Sequence, residues 1–159
     1  MQNIVELRRY IVTILVLFLG AFLLVSSRRE VLSTGVLNEL MVADIKFYES
    51  EGKDMPPDSR VYENKFYKNT ARYIAYEVDL QYPMSGRKID FTVHTVYLKP
   101  DGSLFQEWDC QYSIGADQKQ SFLNGGSGWS EPGAWERGQY SAVFYINNYE
   151  IGREAFTIE

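Results

Sequence analysis

The sequence is poor in the side chains that most often do chemistry. It holds one cysteine, Cys110, and one histidine, His94. A single cysteine excludes an internal disulfide. Cys110 lies in an alternating strand pattern and is expected in the core, because a nucleophilic thiol needs exposure and a basic neighbour. No G-x-S-x-G elbow presents a serine, and no G-K-[ST] follows the glycine-rich run from Asn124 to Gly128. The α/β-hydrolase and P-loop signatures are therefore absent. There is no N-x-[ST] acceptor, no internal repeat and no low-complexity tract. Basic residues are scarce beyond the first thirty positions. Residues 31–159 carry 12 Lys and Arg against 19 Asp and Glu, a formal charge of −7. Nucleic-acid binding needs clustered cations against phosphate, so a nucleic-acid partner is not expected.

Charge is also missing from Tyr10 to Val25, YIVTILVLFLGAFLLV, which has an arginine pair on either side, Arg8-Arg9 and Arg28-Arg29. The 18 residues 10–27 span roughly 27 Å as a helix, close to a ~30 Å hydrocarbon core. Snorkelling arginines and an interfacial Tyr10 make up the shortfall. The expectation is a transmembrane anchor helix over 10–27, after a tail over 1–9 and before a juxtamembrane connector over 28–41. A cleaved signal peptide is the rival, with Val25-Ser26-Ser27 as its exit. The apolar run is at the long end for such a peptide, which favours retention. The arginines balance, so orientation rests on the amino terminus. It is expected in the cytoplasm, with the C-terminal domain outside, periplasmic or extracellular. Gly20-Ala21 is a small spot where another helix could approach closely.

The rest is rich in aromatics, with 12 Tyr, 9 Phe and 3 Trp in the chain, which favours strands. The connector is loosely helical, with Gly35 as a break. Val42 to Glu49 alternates Ala43, Ile45 and Phe47 against polar neighbours. Pro56-Pro57 interrupts the 50–59 loop, and a short edge strand is expected somewhere in 60–70. Arg72 to Tyr82 puts Ile74, Tyr76, Val78, Leu80 and Tyr82 on one face. Asp101-Gly102 is a favoured centre for a two-residue hairpin. That centre pairs Phe91 with Tyr112, Val93 with Cys110, Thr95 with Trp108 and Tyr97 with Gln106 on an apolar face. Thr92–Gln111, His94–Asp109 and Val96–Glu107 fall on the other. A one-residue slip would break both faces. Residues 115–134 read as a long loop with an apolar island at Phe122-Leu123. A strand through Tyr140, Ala142, Phe144 and Ile146 turns at Asn147-Asn148 into the last strand. The inward parity changes along that strand, so a bulge is expected near Gly152-Arg153.

About seven short strands over 42–159 indicate an all-β domain, an antiparallel Ig-like β-sandwich behind one N-terminal transmembrane helix. Trp135-x-x-Gly138-x-Tyr140, Val143-x-Tyr145-Ile146-Asn147, Ile151-Gly152 and Phe156-x-Ile158 resemble the closing hairpin of Ig-like sandwich domains in bacterial membrane-anchored envelope proteins. The resemblance covers the last 30 or so residues. It implies a fold and a non-catalytic role, and it carries over no active site.

Three clusters remain. His94 opposite Asp109 is the start of a hydrolase triad, but more simply a cross-strand charge pair. Glu49, Glu51, Asp54 and Asp58 are acidic without the EF-hand spacing, so a solvated loop is expected. Trp108 and Trp135 read as core. Trp129 lies in a loop between glycine and serine and is the best candidate for a partner contact. No catalytic residue, cofactor or metal is expected. The expected partners are the lipid bilayer and other subunits of a membrane complex, with the domain acting as an accessory interaction or scaffold module. The alternative is an envelope module that binds carbohydrate or a small ligand.

Overall fold

A computed structural model describes residues 35–52 and 55–159. The chain divides into two units, residues 1–38 and 39–159. Of the first, only 35–38 are described. They are helical, so Gly35 itself adopts helix. The anchor segment 10–27, with Gly20 and Ala21, lies outside the described residues. No helix among the described residues is long and apolar enough to cross a membrane.

The second unit is built from eight strands: β1 (Met41–Ser50), β2 (Lys65–Phe66), β3 (Tyr73–Gln81), β4 (Ile89–Leu98), β5 (Leu104–Ile114), β6 (Gln120–Gly128), β7 (Gly138–Ile146) and β8 (Tyr149–Ile158). A three-stranded sheet has the order β1-β3-β6, and a five-stranded sheet the order β2-β8-β7-β4-β5. In immunoglobulin lettering these are A-B-E and A′-G-F-C-C′. A second mark agrees. Tyr140, near the start of β7, reaches back four residues, and its hydroxyl accepts the backbone N–H of Glu136 at 3.2 Å. That is the tyrosine corner of such sandwiches. The fold is immunoglobulin-like. The sheets are not wholly antiparallel, which corrects one expectation: β2 runs parallel to β8, with Phe66 beside Ile158.

Alternation sets the core, because successive strand side chains point to opposite faces. The even residues Ile74, Tyr76, Val78 and Leu80 of β3 are buried, and so are the odd residues Phe91, Val93, Thr95 and Tyr97 of β4. Trp135 is fully buried with its ring 5.1 Å from Tyr140 and 5.8 Å from Phe156. Its indole N–H donates to the Arg72 carbonyl at 2.7 Å, which satisfies the one polar atom of the side chain. Tyr97 likewise donates to the Ile74 carbonyl across the sandwich at 3.1 Å.

All seven expected pairs between β4 and β5 are present, from Phe91–Tyr112 to Tyr97–Gln106. The turn that produces them is different. Gly102 N–H bonds the Lys99 carbonyl at 2.9 Å, and Lys99 N–H bonds the Ser103 carbonyl at 2.8 Å. The loop therefore has three residues, Pro100-Asp101-Gly102, with Gly102 alone at positive φ (82°). Proline at the second position of a type I turn and glycine in the left-handed region suit this turn. Such a turn sets Lys99 against Ser103 and Leu98 against Leu104, one residue out of the expected register. A bulge at Phe105, between the pairs Leu98–Leu104 and Tyr97–Gln106, shifts it back. The Asn147-Asn148 turn has both residues at positive φ, 51° and 64°, as a two-residue hairpin requires. The bulge expected in the last strand falls at Ile151, skipped between the pairs Tyr145–Glu150 and Phe144–Gly152.

The largest departure is β6. Gln120–Gly128 was expected within a loop, yet it pairs with β3 along its whole length, Gln81–Gln120 to Tyr73–Gly128. Its glycines fit a crowded place. A Cβ on Gly125 would lie 2.5 Å from the Tyr76 hydroxyl, and one on Gly126 would lie 2.6 Å from the Ala75 Cα. The side chains that would normally occupy this strand are replaced by its neighbour's. In the same strand Leu123 is buried and Phe122 exposed, as alternation demands.

Candidate functional site

The two long sides of the sandwich differ. On one side β1 packs against β8, with Ile45 and Val42 over Gly152. On the other, both sheets end in an edge strand, β5 in one and β6 in the other. Side-chain hydrogen bonds reach across between them. Tyr112 donates to the Asn124 carbonyl at 2.9 Å, and the Ser127 hydroxyl donates to the Gln106 carboxamide. Burial pushes the Tyr112 phenol up to about 12.

Trp129 stands at one end of this open side, directly after β6. Its N–H shares the Arg72 carbonyl with Trp135, at 3.1 Å. Its ring meets Phe105 edge-on at 6.1 Å between centroids. Phe105 is the bulged residue of β5, and the bulge aims it at Trp135, 5.0 Å away. Trp129 is thus held from behind and 44% exposed, with Leu104 of the same β5 terminus 50% exposed. An aromatic fixed on one face and open on the other is the usual form of a contact anchor. Gly20 and Ala21, the other expected contacts, lie outside the described residues.

The remaining candidates have other places. His94 lies on the outer face of β4, and its Nδ1 is 2.8 Å from Asp109 as the register requires. Its Nε2 is 3.4 Å from Glu107. Both ring nitrogens face carboxylates across the sheet surface, the geometry of a cross-strand pair. Cys110 lies on the inward side of β5 but is only half-buried, because it belongs to an edge strand. Trp108 is half-buried beside it and stacks near Tyr76, while Trp135 is core as expected. The described acidic residues of the 49–58 stretch, Glu49, Glu51 and Asp58, do not converge. The Glu49 carboxylate accepts the Arg72 N–H at 3.3 Å, with burial raising its pKa, and Glu51 lies 3.8 Å from the Arg72 guanidinium. Asp58 sits in a short 3-10 turn, and Asp54 is outside the described residues.

Sequence reasoning missed the arrangement on the outer face of the three-stranded sheet. The guanidinium of Arg60 pairs with Glu77 and donates to the Asn124 carboxamide at 2.9 Å. Its Nε donates to the Met55 carbonyl at 2.9 Å, and its plane lies 4.9 Å from the Tyr48 ring centroid. Tyr62 donates to the same Glu77 carboxylate at 2.9 Å. The Arg60 and Glu77 side chains are only 8% and 12% exposed. The signal was thin: one glutamate on the more polar side of β3, and one arginine after a proline loop. Beside this strap lies a cavity of about 210 Å³ between Tyr48 and Tyr73, with Ala75, Gly125 and Gly126 among its lining.

No family model matches the chain, and no curated protein matches it. Among solved structures, an immunoglobulin-like protein of Pseudomonas aeruginosa is similar over 76% of this chain and 97% of its own, at 12% identity and a TM-score of 0.45. The CARDB domain of a Pyrococcus furiosus protein, solved in complex with di-metal ions, is similar over 76% of this chain and 87% of its own. It shows 16% identity and a TM-score of 0.41. The alkylpurine DNA glycosylase AlkC of Pseudomonas fluorescens, solved on DNA with an abasic site analog, is similar over 76% of this chain and 30% of its own. It shows 12% identity and a TM-score of 0.48. Likeness at this level carries no argument about function, and the immunoglobulin-like reading rests on strand order and on Tyr140.

Proposed function

We propose that this chain is a non-catalytic, single-span membrane protein whose immunoglobulin-like sandwich is an interaction module, an accessory subunit of a larger membrane assembly. The observation that carries the reading is the open β5/β6 side, where Trp129 and Leu104 stand exposed on a rigid backing. Supporting it are the uncharged segment 10–27 between arginine pairs and the short connector to the domain. In this reading the N-terminus is cytoplasmic and the sandwich lies outside the membrane, in a bacterial envelope. A mild-detergent pull-down through a C-terminal tag, read by mass spectrometry, tests it. A stoichiometric membrane partner is expected, and Trp129→Ala should weaken its recovery. A clean monomer refutes the reading.

The second reading is a module for carbohydrate or another small ligand. The cavity between Tyr48 and Tyr73 favours it, because its glycine and alanine floor leaves room for a flat group between two aromatic walls. A glycan array with no hits, together with no thermal shift in a metabolite screen, would remove this alternative.

A further inference from the structure

We infer that the β5 edge takes up an extended, basic strand from a partner protein, adding a sixth strand to the five-stranded sheet. This inference rests on the interaction-module reading and names the surface and the chemistry of the partner. Among the described residues β5 is the longest strand, eleven residues, and pairs only with β4. The backbone N–H and C=O groups along its outer side therefore have no strand partner among the described residues, which is a template for pairing with another chain. Natural edges are usually blunted. The opposite edge of this sheet, β2, is two residues long. β1 carries a bulge between Val42 and Asp44, and Tyr62 bridges to its Tyr48. β5 has no proline, glycine or lysine, and its one bulge is at Phe105, leaving Gln106 to Ile114 regular.

Side chains on this edge select the partner. Glu107 and Asp109 project from the outer face two positions apart, and β5 bears no basic residue. His94 on the neighbouring strand lies against both carboxylates. A strand with Lys or Arg at alternate positions would set a cation beside each acid. Its intervening residues would fall beside Trp108, Cys110 and Tyr112, which are half-buried for want of a neighbour, so apolar side chains fit there. A second copy of this chain fits poorly. Two β5 strands meeting antiparallel about a twofold axis near Asp109 would set carboxylates of like sign against each other.

The test uses the full-length chain in its native membrane, with a photo-crosslinking residue placed at Gln111, at Trp129, or at Glu154 on the far side of the sandwich. The expected result is an adduct from Gln111 and none from Glu154. Peptide mapping should place the adduct in a partner segment with alternating basic and apolar residues. The double change Glu107→Lys with Asp109→Lys should cut its yield at least tenfold without lowering the unfolding midpoint. The milder Glu107→Gln with Asp109→Asn should cut it less, and it serves if the double lysine variant does not fold. An adduct to a second copy, an adduct indifferent to both variants, or a mapped segment without Lys or Arg overturns the inference. No adduct from Gln111 but one from Trp129 overturns the edge and leaves the interaction module standing. No adduct from any position overturns both.

Discussion

Replacing Glu77 by alanine removes the carboxylate that neutralises Arg60 on the outer face of the three-stranded sheet. Arg60 cannot follow its charge into water, because its guanidinium is pinned between the Met55 carbonyl, the Asn124 carboxamide and the Tyr48 ring. Breaking a buried ion pair from one side typically costs about 3–5 kcal/mol, most of it the penalty of the charge left behind. Asn124 still offers one acceptor, and the ring retains an attraction of about 1 kcal/mol, so the low end, about 3 kcal/mol, is expected. At roughly 3–5 °C per kcal/mol for a domain of this size, the unfolding midpoint should fall by about 10–15 °C. Tyr62 also loses its acceptor, so the 55–64 segment should become more open to limited proteolysis. Arg60→Met with Glu77→Leu removes both charges and should recover most of the loss, since an apolar pair carries no desolvation penalty. The assay is thermal and urea unfolding of wild type, Glu77→Ala, Arg60→Met, Glu77→Leu and the Met/Leu double, the last three closed with wild type as a double-mutant cycle. A Glu77→Ala loss under 1 kcal/mol, or additive single effects, would refute the claim that Arg60 is buried and paired.

Other outcomes follow from the same contacts. Gly126→Ala should destabilise by about 1–3 kcal/mol, and more than Gly125→Ala. The new methyl meets Ala75 backbone in the first case and a tyrosine hydroxyl in the second; urea midpoints decide. Thr95→Val removes the 3.1 Å partner of the fully buried Tyr76 hydroxyl and should cost about 1–3 kcal/mol, read the same way. Burial raises the phenols of Tyr76, Tyr97 and Tyr112, the last to about 12. A folded-state pKa above the unfolded value near 10 favours the neutral phenol. That contribution is complete below about pH 10 and is lost as pH rises through about 12. Alkaline unfolding should therefore coincide with a late, cooperative rise in phenolate absorbance, and an early independent titration would contradict the packing. Trp129→Ala should change the unfolding midpoint little while weakening partner recovery, since the side chain caps the surface and is not fully buried.

The core could be read from the chain wherever a strand alternates. β3, β4 and β7 set Ile74, Tyr76, Val78 and Leu80, then Phe91, Val93 and Tyr97, then Tyr140, Ala142, Phe144 and Ile146 on one face at period two, and all of these are buried. The β4–β5 register was legible for the same reason, although the turn was not. A three-residue loop and a compensating bulge at Phe105 give the same pairs as the simpler two-residue turn. The bulge has its own consequence, because it turns Phe105 inward against Trp135 and so backs Trp129. Nothing local encodes that. The His94–Asp109 pair followed from register alone, whereas the second carboxylate, Glu107 at Nε2, depends on how the imidazole lies across the sheet.

What the sequence determined by itself is the part that depends on near neighbours along the chain: the uncharged segment between arginines, the alternating strands, the asparagine turn and the all-β class. Local periodicity and side-chain polarity carry that information. What the tertiary structure decided is the part that depends on residues far apart. Gln120–Gly128 is a strand because β3 fills the volume its side chains would need. β2 is parallel to β8 because the crossing residues 55–64 are strapped over the outer sheet by Arg60, Tyr62 and Glu77. β5 is an exposed edge because the sheet order ends there. Packing volume, charge burial and strand order are properties of the assembled sheets, so they appear only when distant segments meet.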